Sequence, residues 1–396
     1  MRILLKQAFL WTERRTVDLV VEDGLVRVAG ASEKGDFGDV VDLGGRIVVK
    51  GFADVHMHLD KALISGRVAN KSGTLREAIE IMGPYKASMT DEDIRERAEQ
   101  ALLLCRANGT RFVRTNVDVD DGIGLRSLRV LKELKQKYAD SLFMQLVAFP
   151  QEGLSREGNV RVLAEAMKEG ADVVGGIPAW DPRPEEHIER IFDLAAEYGV
   201  GVDAHIDETD APSSLTLELL AETALKRNMR GGVTAAHCCS LAANPPEVVD
   251  RVLDKVAEAG VAIVSLPSTN LYLQGRDDTV NVRRGIAPLK SIVQKGIRAA
   301  IASDNMQDPF NPFGTGNMLL QALIAGHGCH MGGLDDFNAL FDMITGNPMA
   351  IMGLDPSWRD GAAADFIVLE AKSAHEAIVG QCSLHASCDK GVVTFS

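Results

Sequence analysis

Several things are scarce in this chain of 396 residues. Basic charge is one: 42 Lys and Arg stand against 56 Asp and Glu, a formal charge of −14. That balance repels phosphate backbones, and no basic run with interleaved aromatics offsets it, so a nucleic-acid polymer is excluded as a partner. Paired cysteines are another. Cys105, Cys238, Cys239, Cys329, Cys382 and Cys388 form no C-x-x-C pair, which removes both a zinc knuckle and a disulfide framework. No apolar run approaches the roughly 18 residues of a membrane helix. The opening MRILLKQAFLWTERR lacks the apolar segment and small-residue cleavage site of a secretory signal. A cytoplasmic protein acting on a neutral small molecule, with no membrane partner, is the expectation. Association into a homo-oligomer stays open.

What the chain does have is a large apolar fraction, 46%, enough for a sizeable core. Residues 1–49 alternate in the strand manner, with Asp23-Gly24 as a hairpin turn signal, and the end of the chain returns to that style in ADFIVLEAK and GVVTFS. Both termini, 1–49 and 361–396, are therefore expected to form a small β-sandwich-like domain. The middle, 50–360, alternates apolar runs with amphipathic helical stretches. Eight candidate strands stand out: IVVKGFADVHMH, RFVRTNVD, LFMQLVAFP, DVVGGIP, GVGVDAHID, GGVTAAHC, GVAIVSLP and IRAAIASD. Eight strand-then-helix units over about 250 residues point to an α/β chain folded as a (β/α)8 barrel of the TIM type, ahead of a doubly wound open sheet.

A barrel keeps its chemistry at the C-terminal ends of its strands. His56 and His58 end the first run, Asp118 the second, Gln151 follows the third, His205 and Glu208 close the fifth, His237 the sixth and Asp304 the eighth. Residues two apart on a strand point the same way, so His56 and His58 converge. With His205 and Asp304 they form a nitrogen-rich shell suited to one divalent metal ion, Zn²⁺ or Fe²⁺. Such an ion brings the pKa of its water to about 7. Glu208 and His237 have the chemistry for proton transfer beside it. Cys238 and Cys239 read as packing residues, since neighbouring strand positions face opposite sides. His327, Cys329 and His330 lie in a helical region away from any strand end and read as structural; His187, His375 and His385 are left unassigned.

The segments HMHLDK, VRTNVDVDD, QLVAFPQEG, GADVVGGIP, DAHIDE, TAAHC, LYLQGRDD, RRGI and ASDN-x-x-DPF resemble the amidohydrolase superfamily and, within it, the bacterial cytosine deaminase group. The likeness runs from about residue 45 to about 355. It implies a single metal held by His56, His58, His205 and Asp304. It also implies that Gln151 grips a ring carbonyl and the adjacent N–H, that Glu208 gives a proton to the ring nitrogen, and that His237 orients the nucleophile and stabilises the oxyanion. Two-metal members place a carboxylated Lys or a Glu at the end of the fourth strand; DVVGGIPAW has neither, which implies a mononuclear centre. Asn305 stands where a second acidic residue is typical, Phe310 where a Trp is expected and Asn116 where a histidine is common. Lys61 follows closely behind the H-x-H pair. These four are expected to line the pocket and set specificity, Asn305 as a hydrogen-bond donor in place of an acceptor.

The implied function is hydrolytic deamination of an amino-substituted nitrogen heterocycle, cytosine or a close analogue, with release of ammonia. Isocytosine, creatinine, a pterin or an aminotriazine are alternative substrates. A cyclic-amide or N-alkylamine hydrolase is a second class of answer, and an inactive binding or scaffold protein a third.

Overall fold

The computed structural model describes residues 2–30 and 36–395. The first strands are β1 (Arg2–Leu10), β2 (Arg15–Glu22), β3 (Leu25–Val28), β4 (Asp39–Asp42) and β5 (Ile47–Val49). Eight more follow: β6 (Phe52–Met57), β7 (Thr110–Asp118), β8 (Phe143–Phe149), β9 (Val173–Gly176), β10 (Gly201–Ile206), β11 (Val233–His237), β12 (Ala262–Ser265) and β13 (Ala299–Ile301). The last are β14 (Ala362–Ala363), β15 (Phe366–Leu369), β16 (Leu384–Asp389) and β17 (Val392–Phe395).

The strands of the two ends hydrogen-bond into one network ordered β14-β3-β2-β1-β5-β15-β16-β17, with β4 beside β1. Asp23 and Gly24, at φ +53° and +79°, make the turn between β2 and β3, the left-handed pair that a two-residue hairpin needs. Leu5, Leu19, Val48 and Phe366 belong to a hydrophobic cluster of this layer's own.

The middle strands form an eight-stranded parallel sheet in strict chain order, β6 to β13. Each is buried along nearly its whole length, as parallel strands covered on both faces must be. Helices separate them. Asp91–Ala107 starts at Thr90, whose side chain accepts from Asp93 N, and Pro184–Tyr198 and Pro246–Ala259 begin on proline and end at Gly199 and Gly260, both left-handed at φ +65°. Proline inside the start and glycine past the end is the capping asymmetry that helix geometry favours.

The ring closes between β6 and the segment after β13. Asp304 N donates to His56 O at 2.9 Å, and Ser303 N donates to Asp54 Oδ1 at 3.1 Å. The closure therefore carries Asp304 to the first histidine pair. One expected element differs: IVVKGFADVHMH is two strands. Its first half, β5, pairs with β1 and β15 in the terminal layer, and its second half, β6, pairs with β7 in the barrel. The break falls at Gly51, φ +149°, where an added Cβ would lie 2.4 Å from the Arg111 side chain. Apolar patterning alone does not register a break made by one crowded glycine.

Candidate active site

The strand-end residues converge. His56 and His58, on and just past β6, meet His205 of β10, His237 of β11 and Asp304, three residues beyond β13; all five are buried. His58 Nε2 lies 3.2 Å from His205 Nε2 and 3.3 Å from Asp304 Oδ1, and His56 Nε2 lies 3.7 Å from the same oxygen. Two Zn–N bonds of about 2.0–2.1 Å at a tetrahedral angle would hold their nitrogens about 3.3 Å apart. The spacing is thus that of ligands around one ion. One donor atom each from His56, His205, His237 and Asp304 also falls within 4.8 Å of all the others, so His237 borders the same centre.

Satisfaction of polar atoms makes the same point. His56 Nε2, His237 Nε2 and both carboxylate oxygens of Asp304 are buried without a hydrogen-bond partner. Leaving a buried polar group unpaired costs about 1–3 kcal/mol, and four such atoms in one place fit a cation. Burial, with the neighbouring positive groups, pushes the pKa of His58, His205 and His237 well below the usual imidazole value, which keeps ring lone pairs available. Burial, then the nearby Glu208 and Asp308, raises Asp304 well above the carboxylate range; a bound cation would reverse that cost.

The supporting residues were not marked in the sequence. His56 Nδ1 faces Asp203 Oδ1 at 3.7 Å, and the other oxygen of Asp203 accepts from Arg114 at 2.8 Å. At 3.7 Å Asp203 is an electrostatic neighbour of the ring rather than a hydrogen-bond partner. Asn270 approaches His237 Nδ1 at 3.1 Å, and Phe149 stacks on His205 with ring centroids 4.0 Å apart. Asp207 accepts from Thr216 N and Leu217 N at the start of the helix Thr216–Lys226, which fixes the loop carrying Glu208. Asp207, His237 and Asp304 have φ of +50°, +69° and +60°. Non-glycine residues held left-handed cost about 1–3 kcal/mol each and cluster at functional sites.

Arg114→Met would leave Asp203 buried without its ion pair. Breaking a buried pair on one side costs about 3–5 kcal/mol, so urea unfolding should show a loss of that size. A loss below about 1 kcal/mol would mean that another group compensates Asp203.

Beside the cluster is a narrow pocket lined by Gln151, Glu208, Asn305 and Phe310, and by Leu75 and Ile79 of the helix Leu75–Ser88. Its free volume is about 10 Å³, room for about one water molecule. Burial pushes the Glu208 carboxyl up to about 8 against the lowering effect of Lys61, and so favours its acid form.

Two residues expected to line the pocket stand behind it. Lys61 is buried, donating to Asp118 at 2.8 Å and to Gln151 Oε1 at 3.0 Å; it acts on the pocket through Gln151. Asn116 sits 3.2 Å from His56 Nδ1, on the far side of that ring. Both corrections have one cause: these side chains satisfy buried charges and ring nitrogens beneath the site before reaching its surface. Asn305 does line the pocket, yet its Nδ2 donates to Asp308 Oδ2 at 2.7 Å. That bond uses one of its two N–H donors; the other N–H and the carbonyl oxygen remain. Phe310 lines the pocket as expected, its backbone N–H bonded to Asp308 Oδ1 at 2.8 Å. A second acidic group, His58, Asp60 and Asp118, already has the Lys61 ammonium against Asp118. His187, unassigned from sequence, bonds Ile177 N and Asp181 and is structural. Cys238 and Cys239 are buried.

A buried cluster of imidazoles and carboxylates at the strand ends of a parallel eight-stranded barrel defines a hydrolytic barrel enzyme. The chain matches the amidohydrolase family over residues 39–379 and belongs to it, as a hydrolase of C–N bonds other than peptide bonds. It is 33% identical over 302 residues to a pterin deaminase of Rhizobium rhizogenes, covering 75% of this chain and 69% of that one. It is 27% identical over 396 residues to the N-isopropylammelide isopropyl amidohydrolase of Pseudomonas sp., covering 96% and 93% of the two. The crystal structure of 5-methylcytosine deaminase from Klebsiella pneumoniae liganded with phosphonocytosine superposes with TM-score 0.92 at 34% identity, over 100% of this chain and 98% of that one. Among the described residues no helix is long and apolar enough to cross a membrane.

Proposed function

We propose that the protein is a metal-dependent aminohydrolase that replaces the amine of an amino-substituted, neutral nitrogen heterocycle, cytosine or a close analogue, with a carbonyl oxygen. The observation that carries this reading is the partnerless buried set of His56, His237 and Asp304 atoms, of which His237 and Asp304 line the pocket that Glu208 also lines. His56, His58, His205 and Asp304 would hold one Zn²⁺ or Fe²⁺. When bound, such an ion acidifies water and supplies a nucleophile at neutral pH.

The chain's own groups then divide the proton work. Glu208 gives its proton to the ring nitrogen next to the amine-bearing carbon, so that no negative charge builds on the ring as water adds. His237 orients the incoming oxygen through Nε2. The oxygen of the added water sheds two protons: one restores the Glu208 carboxyl, and an Asp304 carboxylate oxygen takes the other and passes it to the amine, so the C–N bond breaks, the carbonyl forms and ammonia departs. Gln151 positions the ring: with its Oε1 engaged by Lys61, its Nε2 is free to donate to the ring carbonyl, and the remaining lone pair of Oε1 can accept from the adjacent ring N–H.

Gln151→Ala should lower kcat/KM about 5- to 150-fold, the range set by about 1–3 kcal/mol for an unsatisfied buried group, with metal content unchanged. A change below threefold would remove Gln151 from substrate positioning. The reading as a whole is tested by ammonia release from cytosine, 5-methylcytosine, isocytosine, creatinine, pterin and an aminotriazine. Turnover of one or more supports it. Release of isopropylamine from N-isopropylammelide, without ammonia from any of these, would favour the N-alkylamine reading that the Pseudomonas relative suggests.

A further inference from the structure

The face of the barrel that carries the site holds a second, wider cavity. Its volume is about 440 Å³, against about 10 Å³ in the inner pocket. The two share Leu75, Trp180 and Glu208, so the outer chamber opens where a reacting ring must pass. Trp180 keeps 48% of its surface exposed while lining both. Beyond it the walls turn polar, with Thr209, Asp210, Gln274, Arg276 and Asp277.

Three features say what the chamber would take. Gln274 Nε2 is buried without a hydrogen-bond partner, a donor left to be satisfied. Arg276 donates only to carbonyl oxygens, Ser72 O at 3.3 Å and Tyr272 O at 2.6 Å, and lies over the Tyr272 ring at 4.6 Å. Asp210 and Asp277 line the same chamber, and Arg283, which lines it too, is paired with Asp278 at 2.7 Å. Charges of both signs therefore balance, which disfavours an anionic guest and leaves a mixture of donors and acceptors suited to hydroxyl groups. The exposed indole between the two spaces offers a flat apolar face to an extended ring.

We propose that the chamber is a subsite for the end of the substrate remote from the amine, and that the substrate is a heterocycle longer than a single ring carrying a neutral, hydroxylated substituent. In this arrangement the aminated edge points to Glu208 and the histidines, the ring system runs past Trp180, and the hydroxyl accepts from Gln274 and donates to Asp210. The identity of the aminated edge rests on the aminohydrolase reading; the chamber and its polarity do not.

The test uses the metal-loaded full chain and a matched pair of probes, pterin and 6-hydroxymethylpterin, with ammonia release as the readout. Wild type should show a kcat/KM about two- to tenfold higher for the hydroxymethyl compound, the worth of one neutral hydrogen bond. Gln274→Ala should erase that preference while leaving pterin itself within about twofold, and Gln274→Met, which keeps the length and loses the donor, should do the same. Equal values for the two probes in wild type, or a loss shared by both probes in the variants, would overturn the subsite. If neither probe releases ammonia, the aminohydrolase reading fails for this ring, and calorimetric titration of lumazine and 6-hydroxymethyllumazine decides the chamber separately. Tighter binding of the hydroxymethyl compound that vanishes in Gln274→Ala supports the subsite; equal binding, or none, overturns it.

Discussion

Asp304→Ala is expected to abolish activity and to release the metal. Asp304 supplies the anionic donor of the cluster, its oxygen lying within 3.3 Å of His58 Nε2 and 3.7 Å of His56 Nε2. Without it three neutral imidazoles must hold a divalent ion alone in a buried site, and the oxygen proposed as the proton carrier is also gone. An ion that brings water from a pKa of 15.7 to about 7 makes hydroxide available by many powers of ten, so its loss should cost at least about 10³-fold in kcat/KM. Elemental analysis should fall from one ion per chain to less than about a tenth. The fold should survive, since both oxygens of Asp304 lack hydrogen-bond partners. Retention of a full equivalent of metal in this variant would transfer the anionic-ligand role elsewhere.

Glu208→Gln separates chemistry from metal binding. The amide keeps the size of the carboxyl and cannot donate an acidic proton to a ring nitrogen. General acid catalysis contributes about 10²–10⁴-fold, and kcat should drop by that factor while metal content stays at one per chain. KM should move far less than kcat, because the ring is still positioned by Gln151. The carboxyl is suited to the task for a physical reason: burial drives its pKa up to about 8, which favours the acid form that can donate. Turnover within tenfold of wild type in Glu208→Gln would assign the proton to another group.

Much of this architecture was legible from sequence because strand ends carry a recognisable signal. Parallel strands buried on both faces read as apolar runs, and a polar residue that terminates such a run is conspicuous. His56, His58, His205, His237 and Asp304 all announced themselves in this way, and the barrel brings them together. What stayed hidden is what reaches across the barrel. Asp203 and Arg114 pair at 2.8 Å over 89 residues of sequence, and Asn270 meets His237 across 33; no local pattern records either contact. Lys61 and Asn116 stand behind the pocket for a related reason. Their side chains could be placed at the right strand end, but which neighbour they satisfy depends on buried charges brought in by other strands, such as Asp118 beneath Lys61. Asn305 shows the same limit in one side chain, since its partner Asp308 takes one of its two N–H donors. The Gly51 break between β5 and β6 is a further case, set by crowding against Arg111.

The central claim is that one ion is shared by His56, His58, His205 and Asp304. Anomalous diffraction from crystals of the purified protein, collected across the zinc and iron edges and paired with elemental analysis of the same preparation, tests it most directly. The account predicts one peak per chain, within about 2.0–2.3 Å of the three imidazole nitrogens and an Asp304 oxygen. A fully active preparation without metal, or an ion bound away from these four side chains, would contradict it.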